Sequence, residues 1–220
     1  MACGSEATEV PLAEAFSTLY NGGFNGILMQ NYRQFIHQEY GVRQLLVEHT
    51  HFNDPEKREH IRRLLIRAAQ QKTIPIVNYN DPVSDEENRK MELAIRRSHG
   101  DQVVECVDND ETAAVIANLV HAKKLVLMTS TEGIYRDPAD PKTLVEQVTA
   151  KSMEELEEKV RQLQESCVGA SRAGANGAKA KLEYALKSAR QGTMVIIGHA
   201  RHRLSDLEEG RVACTRIGLE

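Results

Sequence analysis

Two loops rich in Asn and Asp follow short apolar runs and carry side chains suited to binding a small polar substrate. The first, Asn78–Asp81 (NYND), follows the run TIPIV, and the second, Asp108–Asp110 (DND), follows VVECV and precedes a helical pattern. Amides and carboxylates at a strand end can hold a polar substrate or its ammonium group. Acids near a helix N-terminus can orient a lysine or a metal around a phosphoryl group. An Asx-rich turn and a helix cap are the structural alternatives, although three such residues in a row exceed what one cap needs.

Two further loops contain residue types that contact nucleotides. In Thr129–Tyr135 (TSTEGIY) the hydroxyls and backbone can meet ribose or phosphate, and Tyr135 can pack nearby. The segment 169–181 (GASRAGANGAKAK) leads into a helix, and its small residues let backbone N–H groups approach an anion. Lys181, within this helix, can neutralise charge on a transferring phosphoryl group. The segment is not a Walker A loop, and a polar turn and a connecting loop with surface lysines remain the alternative interpretations.

The histidines and cysteines give weaker signals. His49-x-His51 and His199-x-x-His202 could each pair on a metal, but neither pair has a third ligand close by in the sequence. We therefore expect ordinary surface or core histidines and no metal site. The four cysteines are widely scattered, which favours reduced thiols over a disulfide framework.

Short apolar runs alternate with amphipathic segments, as expected for βα units around a largely parallel sheet. The runs are uniformly apolar, which is typical of strands buried on both faces. They predict strands at Gln44–Glu48, Thr73–Val77, Val103–Val107, Leu125–Thr129 and Met194–Ile197. The amphipathic patterns predict helices at Ile27–Glu39, Pro55–Gln71, Asp110–Ala122, Ser152–Cys167 and about Lys179–Arg190. In such a sheet the four polar loops lie where ligands bind, beyond the carboxyl ends of the strands.

Composition restricts the class of protein further. The 220 residues carry 28 basic and 32 acidic side chains, a net charge of -4, which argues against a general nucleic-acid binder. No apolar run approaches a membrane span, and the N-terminus lacks the pattern of a signal peptide, so we expect a cytoplasmic protein. The length allows one large domain or two small ones. We expect a single domain over residues 1–220, with a polar, exposed helical insertion at 82–100.

Taken in order, the four loops resemble the amino acid kinase superfamily, and within it the glutamate 5-kinases. Members carry I-N-E-N-D at a strand end, then F-G-D-N-D before a helix, T-D-x-x-G-L-Y after a strand, and G-T-G-G-M-x-T-K at a helix start. The matching segments are Ile76–Asp81, Val107–Ala117, Thr129–Tyr135 and Ala175–Leu182, and the similarity covers about residues 24–218. The resemblance implies an α/β fold: a three-layer αβα sandwich with a mainly parallel central sheet.

The resemblance also implies a reaction and its residues. The family transfers the γ-phosphoryl group of ATP, accompanied by Mg²⁺, to a carboxylate, here the side-chain carboxylate of glutamate on the route to proline. Asp110 would organise catalytic lysines and Lys181 would contact the transferring phosphates. The amino acid would be held by Asn78, Asp81 and Asn109. The nucleotide would be held by Thr129, Ser130, Gly133, Tyr135, Gly177 and Lys181. Catalysis of this kind relies on positioning and charge neutralisation, and the family's habit predicts a homo-oligomer.

Departures from the family pattern leave more than one function open. Members begin with a strand and a V-K-x-G-S/T loop whose lysine contacts the phosphates, and the sequence lacks this segment, so we expect an N-terminally truncated form of the fold. Tyr79 stands where N-E-N-D has its glutamate, and Ser130 where T-D has its acid. The alternatives to a glutamate kinase are an inactive or weakly active relative that binds nucleotide or amino acid as a regulatory or assembly subunit, and a kinase of another small acceptor.

Overall fold

The computed structural model describes residues 26–80, 86–98, 103–106, 108–137, 139–166 and 177–220. The chain divides into two compact units, Met1–Glu105 and Cys106–Glu220. The expectation of one domain over residues 1–220 stays a prediction. Within the described residues, no helix combines the length and the apolar character that crossing a membrane requires.

The first unit is built on a pair of parallel strands. Its described elements are helix α1 (26–35), strand β1 (Gly41–Val47), helices α2 (His49–Asn53) and α3 (Pro55–Gln70), strand β2 (Thr73–Tyr79) and helix α4 (Glu86–Ser98). Gly41 pairs with Thr73 and Val47 with Tyr79, so both strands end at the same edge. Because parallel strands need a crossover, α3 connects them.

Helix α3 illustrates how local sequence sets an element. The Asp54 side chain accepts hydrogen bonds from the backbone N–H groups of Glu56 and Lys57, and Pro55 occupies the first turn. Ile61 and Leu65 recur four residues apart and are buried. A capped start and one apolar stripe are what an amphipathic helix requires, and the predicted helix Pro55–Gln71 is confirmed to within one residue.

The second unit contains a four-stranded mixed sheet. Its elements are helix α5 (Asn109–Val120), strand β3 (Lys124–Thr129), a 3₁₀ turn (Pro141–Thr143), strand β4 (Gln147–Ala150), helices α6 (Met153–Ser166) and α7 (Gly177–Ala189), strand β5 (Met194–His199), helix α8 (Leu204–Glu209) and strand β6 (Cys214–Leu219). The strand order is β3-β5-β6-β4. The pairs β3–β5 and β4–β6 are parallel, whereas β5 and β6 are antiparallel.

Alternate residues of β5 face two different layers of helices. Val195 and Ile197 belong to the main core, which also contains buried residues of α6 and α7 such as Leu156 and Leu182. Ile196, between them in sequence, packs with Leu207 of α8 in a second cluster. The sheet of this unit therefore lies between helices on both faces, and the α/β class with mainly parallel pairing is confirmed.

The predicted strand Val103–Val107 is wrong over its described residues. Residues 103–106 form no strand, and the side-chain amide of Asn53 bonds both backbone groups of Val104, accepting from its N–H at 2.8 Å and donating to its carbonyl at 2.7 Å. Cys106 has a φ of 52°, a left-handed conformation that ends extended backbone. The Asn53 side chain thus makes the backbone hydrogen bonds with Val104 that a neighbouring strand would make.

The remaining sequence predictions agree with the described elements, with shifted ends. The predicted strands at Gln44–Glu48, Thr73–Val77, Leu125–Thr129 and Met194–Ile197 correspond to β1, β2, β3 and β5. The strands β4 and β6 were not predicted. Within 82–100, the described part is α4, where Met91 and Ile95 are exposed and Leu93 is buried.

Candidate functional site

Two loops and two helix N-termini lie at the carboxyl edge of the β3–β5 pair. Thr129 pairs with His199 at the ends of these strands, and the carbonyl of Thr129 accepts a hydrogen bond of 2.8 Å from the N–H of Ala200. Helices α5 and α7 contact each other, and each precedes and packs on one of the two strands after a short connection. A helix joined in this way runs back along its strand, so its N-terminus lies at the strand's carboxyl end.

An ion pair between Asp110 and Lys181 joins the first turn of α5 to the second turn of α7. The Lys181 ammonium donates to Oδ2 of Asp110, and both side chains are 24% exposed. These residues are 71 positions apart in the sequence. Because the pair is partly shielded from water, each charge interacts more strongly than a fully exposed one would. The structure thus brings together the two residues predicted to be catalytic.

The three residues of the Asp108–Asp110 loop have different environments. The Asp108 carboxylate accepts from the N–H of Glu111 at 2.8 Å and caps α5. Asn109 is exposed, and Asp110 carries the ion pair with Lys181. Asp108 is therefore a helix cap, which agrees with the alternative interpretation of this loop. The side chains of Asn109 and Asp110 are not used for capping.

The start of α7 has the opposite electrostatic character to the start of α5. Gly177, its first residue, has a φ of 61°, and no acidic residue lies in its first turn. The first turn of α5 contains Asp110 and Glu111. Since a helix N-terminus carries partial positive charge, α7 presents an edge that favours an anion. The preceding residues of the predicted anion loop, 169–176, lie outside the described residues.

Packing explains the glycine of the Thr129–Tyr135 loop. A Cβ atom on Gly133 would overlap the Thr215 side chain and lie 2.9 Å from the Thr215 backbone nitrogen. The Thr215 hydroxyl accepts from the N–H of Ile134 at 2.8 Å and donates to the carbonyl of Val145 at 2.7 Å. This loop is held against β6, so the glycine has a structural reason, while its role at a nucleotide stays a prediction.

The other predicted nucleotide residues have varied surroundings. Ser130 is exposed and Thr129 is half-buried at the end of β3. Tyr135 is half-buried and forms an isolated β-bridge with Leu144. Their positions at or just beyond one strand end are compatible with a binding edge, and their contacts with a nucleotide stay predictions.

A carboxylate that sequence reasoning missed links the loops after β3 and β5. Glu132 Oε2 lies 2.6 Å from Nε2 of His202, and its other oxygen accepts from the Arg201 guanidinium. The Glu132 and His202 side chains are 18% and 20% exposed. His199 Nδ1 accepts from the N–H of Arg201 at 3.0 Å. The available signal was an acid in one loop and the basic run HARHR in the other, but nothing in the sequence paired them.

In the first unit, polar contacts fasten the ends of β1 and β2. Asn78 is half-buried near the end of β2, whereas Asp81 lies outside the described residues. The Asn80 amide donates to Glu48 Oε1 at 2.7 Å. His49, almost completely buried, lies 3.0 Å from the Tyr79 hydroxyl. The histidine spaced two residues from it, His51, instead accepts the N–H of Glu48, so this His pair has a structural role.

Within the part of the chain that the structure describes, no group of three or more His, Cys, Asp and Glu side chains could hold a metal ion.

The carboxylates with lowered pKa values lie outside the candidate site, at helix caps and in surface ion pairs. The N–H of Lys57 and, less strongly, that of Glu56 lower the pKa of Asp54, for example.

The fold and sequence together define the class of protein. The sequence pattern of the amino acid kinase family matches residues 25–199, and the chain belongs to this family. A carbamate kinase from Giardia lamblia, solved with AMP-PNP bound, superposes with a TM-score of 0.57 at 13% identity, covering 98% of this chain and 78% of that one. At this identity the likeness shows the fold alone.

The most similar curated relatives include glutamate 5-kinases. The chain is 30% identical over 197 residues to the glutamate 5-kinase of Geobacillus thermodenitrificans, covering 88% of this chain and 47% of that protein. It is 29% identical over 196 residues to glutamate 5-kinase 1 of Bacillus subtilis, covering 87% and 48%. The chain thus spans about half the length of the curated relatives it matches.

Proposed function

We propose that this chain carries a phosphotransferase site that uses ATP with Mg²⁺ to phosphorylate the side-chain carboxylate of glutamate. The observation that carries the proposal is the Asp110–Lys181 ion pair, at the N-termini of two adjacent helices on a sheet's carboxyl edge. The similarity to glutamate 5-kinases supports the choice of acceptor.

The proposed reaction exchanges one P–O bond for another. An oxygen of the glutamate carboxylate attacks the γ-phosphorus, and the bond from that phosphorus to the bridging oxygen breaks. The electron pair passes to the leaving ADP, and the products are an acyl phosphate and ADP. The protein's part is to hold the reactants in line and to balance the charge on the phosphoryl oxygens.

Lys181 and Asp110 are assigned complementary parts in this reaction. The Lys181 ammonium is a cation that can contact phosphoryl oxygens. The ion pair with Asp110 keeps the long lysine side chain in one orientation. A fixed cation stabilises developing negative charge better than a mobile one because it needs no reorganisation during the reaction. The start of α7, from Gly177, adds partial positive charge on the same side.

The other roles follow the family resemblance. We propose that Asn78, Asp81 and Asn109 bind the amino acid. The nucleotide would be bound by Thr129, Ser130, Gly133, Tyr135 and Gly177 together with Lys181. Mg²⁺ fits as the companion of ATP, because in kinase sites it is held largely by the substrate's phosphates, where it neutralises charge. A cytoplasmic homo-oligomer that acts on the route to proline completes the proposal.

A second candidate is a relative that binds nucleotide or amino acid without turnover, as a regulatory or assembly subunit. It is favoured by Ser130, a neutral and exposed side chain where the family pattern has an acid. A kinase of another small acceptor is favoured by Tyr79, which replaces the glutamate of N-E-N-D.

One pair of assays separates these candidates. ADP release is measured with glutamate, aspartate, carbamate and UMP, and thermal shift is measured with MgATP. Turnover with glutamate alone supports the main proposal, and turnover with another acceptor redirects it. Stabilisation by nucleotide with no turnover supports the binding subunit. No stabilisation by MgATP rejects both kinases and the nucleotide-binding subunit, and leaves only a subunit that binds the amino acid.

Lys181→Ala tests the residue at the centre of the proposal. We expect turnover to fall about 100-fold or more, since a charge-stabilising group of this kind contributes that much. Lys187→Ala is the matched control, because Lys187 lies on the same helix in an exposed pair with Glu183. A Lys181→Ala rate equal to that of the control would remove Lys181 from the site.

A further inference from the structure

A buried histidine connects three elements of the first unit at the end of β2. The His49 side chain is only 7% exposed. Its Nδ1 lies 3.0 Å from the Tyr79 hydroxyl, and its Nε2 lies 3.1 Å from Oε2 of Glu92. His49 begins α2, Tyr79 ends β2 and Glu92 lies on α4, so one imidazole ring links all three.

The chemistry of the partners assigns the protons in this network. A carboxylate oxygen accepts, so the His49 tautomer that matches Glu92 donates from Nε2. Nδ1 is then an acceptor, and the Tyr79 hydroxyl donates to it. The hydroxyl is consequently held in one direction, which a phenylalanine at this position could not reproduce.

The network sits where β2 passes into the loop that follows it. The N–H of Asn80 donates to the carbonyl of Val47 at 2.9 Å, and the Asn80 side chain donates to Glu48. These contacts and the Tyr79–His49 bond fix consecutive residues of the backbone. Because side chains alternate along a strand, Tyr79 and Asn78 point to opposite faces. Anchoring Tyr79 on one face therefore sets the direction of Asn78 on the other.

We propose that His49 is a positioning residue for the amino acid acceptor: through the Tyr79 hydroxyl it fixes the strand end from which Asn78 projects. The inference rests on the proposed function, in which Asn78 contacts the amino acid. It also explains why Tyr79 can stand where the family pattern N-E-N-D has a glutamate. In this chain the position serves as an anchor to a neighbouring helix.

Helix α4 is held to the same histidine. Besides the His49–Glu92 contact, Arg96 donates to the carbonyl of Asn53 at 3.3 Å, so α4 is fastened to α2 at two points. Losing the Glu92 contact alone should leave the Arg96 contact and the Tyr79 bond in place. The two nitrogens of His49 can therefore be tested separately.

The test measures the affinities for L-glutamate and for AMP-PNP with Mg²⁺ by calorimetry, at a temperature well below unfolding. Tyr79→Phe removes only the hydroxyl. His49→Gln keeps a donor near the Nε2 position, whereas His49→Asn keeps an acceptor near the Nδ1 position. Tyr40→Phe makes the same change at an exposed tyrosine of the same unit and serves as the control.

We expect Tyr79→Phe and His49→Gln to weaken glutamate binding about five- to tenfold, the effect of one lost hydrogen bond. The AMP-PNP affinity should stay within about twofold. The double variant should be no weaker than either single variant, since both remove the same bond. His49→Asn should retain most of the glutamate affinity.

Two results overturn the inference alone: unchanged glutamate affinity in Tyr79→Phe, or equal losses for both ligands, which would indicate a general structural role. If the wild-type protein binds AMP-PNP but no acidic amino acid, the proposed acceptor fails and this inference fails with it. The wild-type measurement therefore distinguishes the two failures.

Discussion

The carboxyl edges of the two parallel strand pairs are held together by different chemistry. At the end of β1–β2, a tyrosine hydroxyl and an amide make the contacts, from Tyr79 to His49 and from Asn80 to Glu48. At the end of β3–β5, ion pairs predominate, namely Asp110–Lys181 and the pairs of Glu132 with Arg201 and His202. The first arrangement fixes direction, because hydrogen bonds are directional. The second places charge, which suits a reaction that moves a phosphoryl group.

Under the proposed function, this difference suits the two edges to different tasks. Directional hydrogen bonds from neutral donors such as Tyr79 and Asn80 fit an edge that holds a small polar acceptor in one orientation. A partly shielded cation at a helix N-terminus fits phosphate oxygens. Variants at the two edges should accordingly affect different ligands.

Asp110→Asn should reduce turnover about 10- to 100-fold, because the amide leaves the Lys181 ammonium without its anion and free to reorient. Steady-state rates of ADP release measure the effect. Glu183→Gln, which breaks an exposed ion pair on the same helix α7, should leave the rate unchanged. Equal rates in both variants would show that the Asp110–Lys181 pair is only structural.

Gly133→Ala should destabilise the protein by about 1–3 kcal/mol, because the new methyl group has no room beside Thr215. Urea denaturation measures the change. Gly26→Ala is the control, since nothing lies within 4 Å of a Cβ atom there. A Gly133→Ala protein as stable as the control would contradict the tight packing of this loop on β6.

Glu132→Gln should cost up to about 1 kcal/mol at low salt, a value limited by the 62% exposure of the Arg201 side chain. The cost should shrink in 1 M salt because screening weakens the pair. Asn80→Ala, at the other edge, should show little salt dependence. Denaturant midpoints at two salt concentrations test this, and equal salt responses would erase the contrast between the edges.

Lowering the pH should slightly reduce the stability that the Asp54 cap gives to the start of α3. The N–H of Lys57, followed by that of Glu56, lowers the pKa of Asp54 below its usual 3.8. A carboxylate with a lowered pKa contributes stability that is present above the unfolded value and is lost as pH falls through the folded value. Melting temperatures between pH 5 and 2 should therefore fall less steeply for Asp54→Asn than for wild type. Parallel curves would contradict this role for Asp54.

Local sequence was sufficient where an element is set by near neighbours. The Asp54-Pro55 start and the apolar spacing of Ile61 and Leu65 predicted α3 closely, because caps and helical periodicity involve residues only a few positions apart. The apolar run of Met194–Ile197 predicted β5 for a similar reason.

Prediction failed where a distant group decided the local structure. Val103–Val107 has the composition of a strand, but the amide of Asn53, 51 residues away, occupies the backbone groups of Val104. The strand β4 was missed because its four residues are too few for a periodic signal. In β6, an arginine and a glycine interrupt the apolar pattern.

The order of residues alone places amides at the end of β2 and an acid after it, acids before α5, hydroxyls after β3 and lysines on α7. Tertiary structure decided which of these groups meet. It paired Asp110 with Lys181 across 71 residues, Glu132 with His202 across 70, and Tyr79 with His49 across 30. Such pairs depend on strand register and helix packing, which bring distant residues to one edge and leave no periodic trace in the sequence.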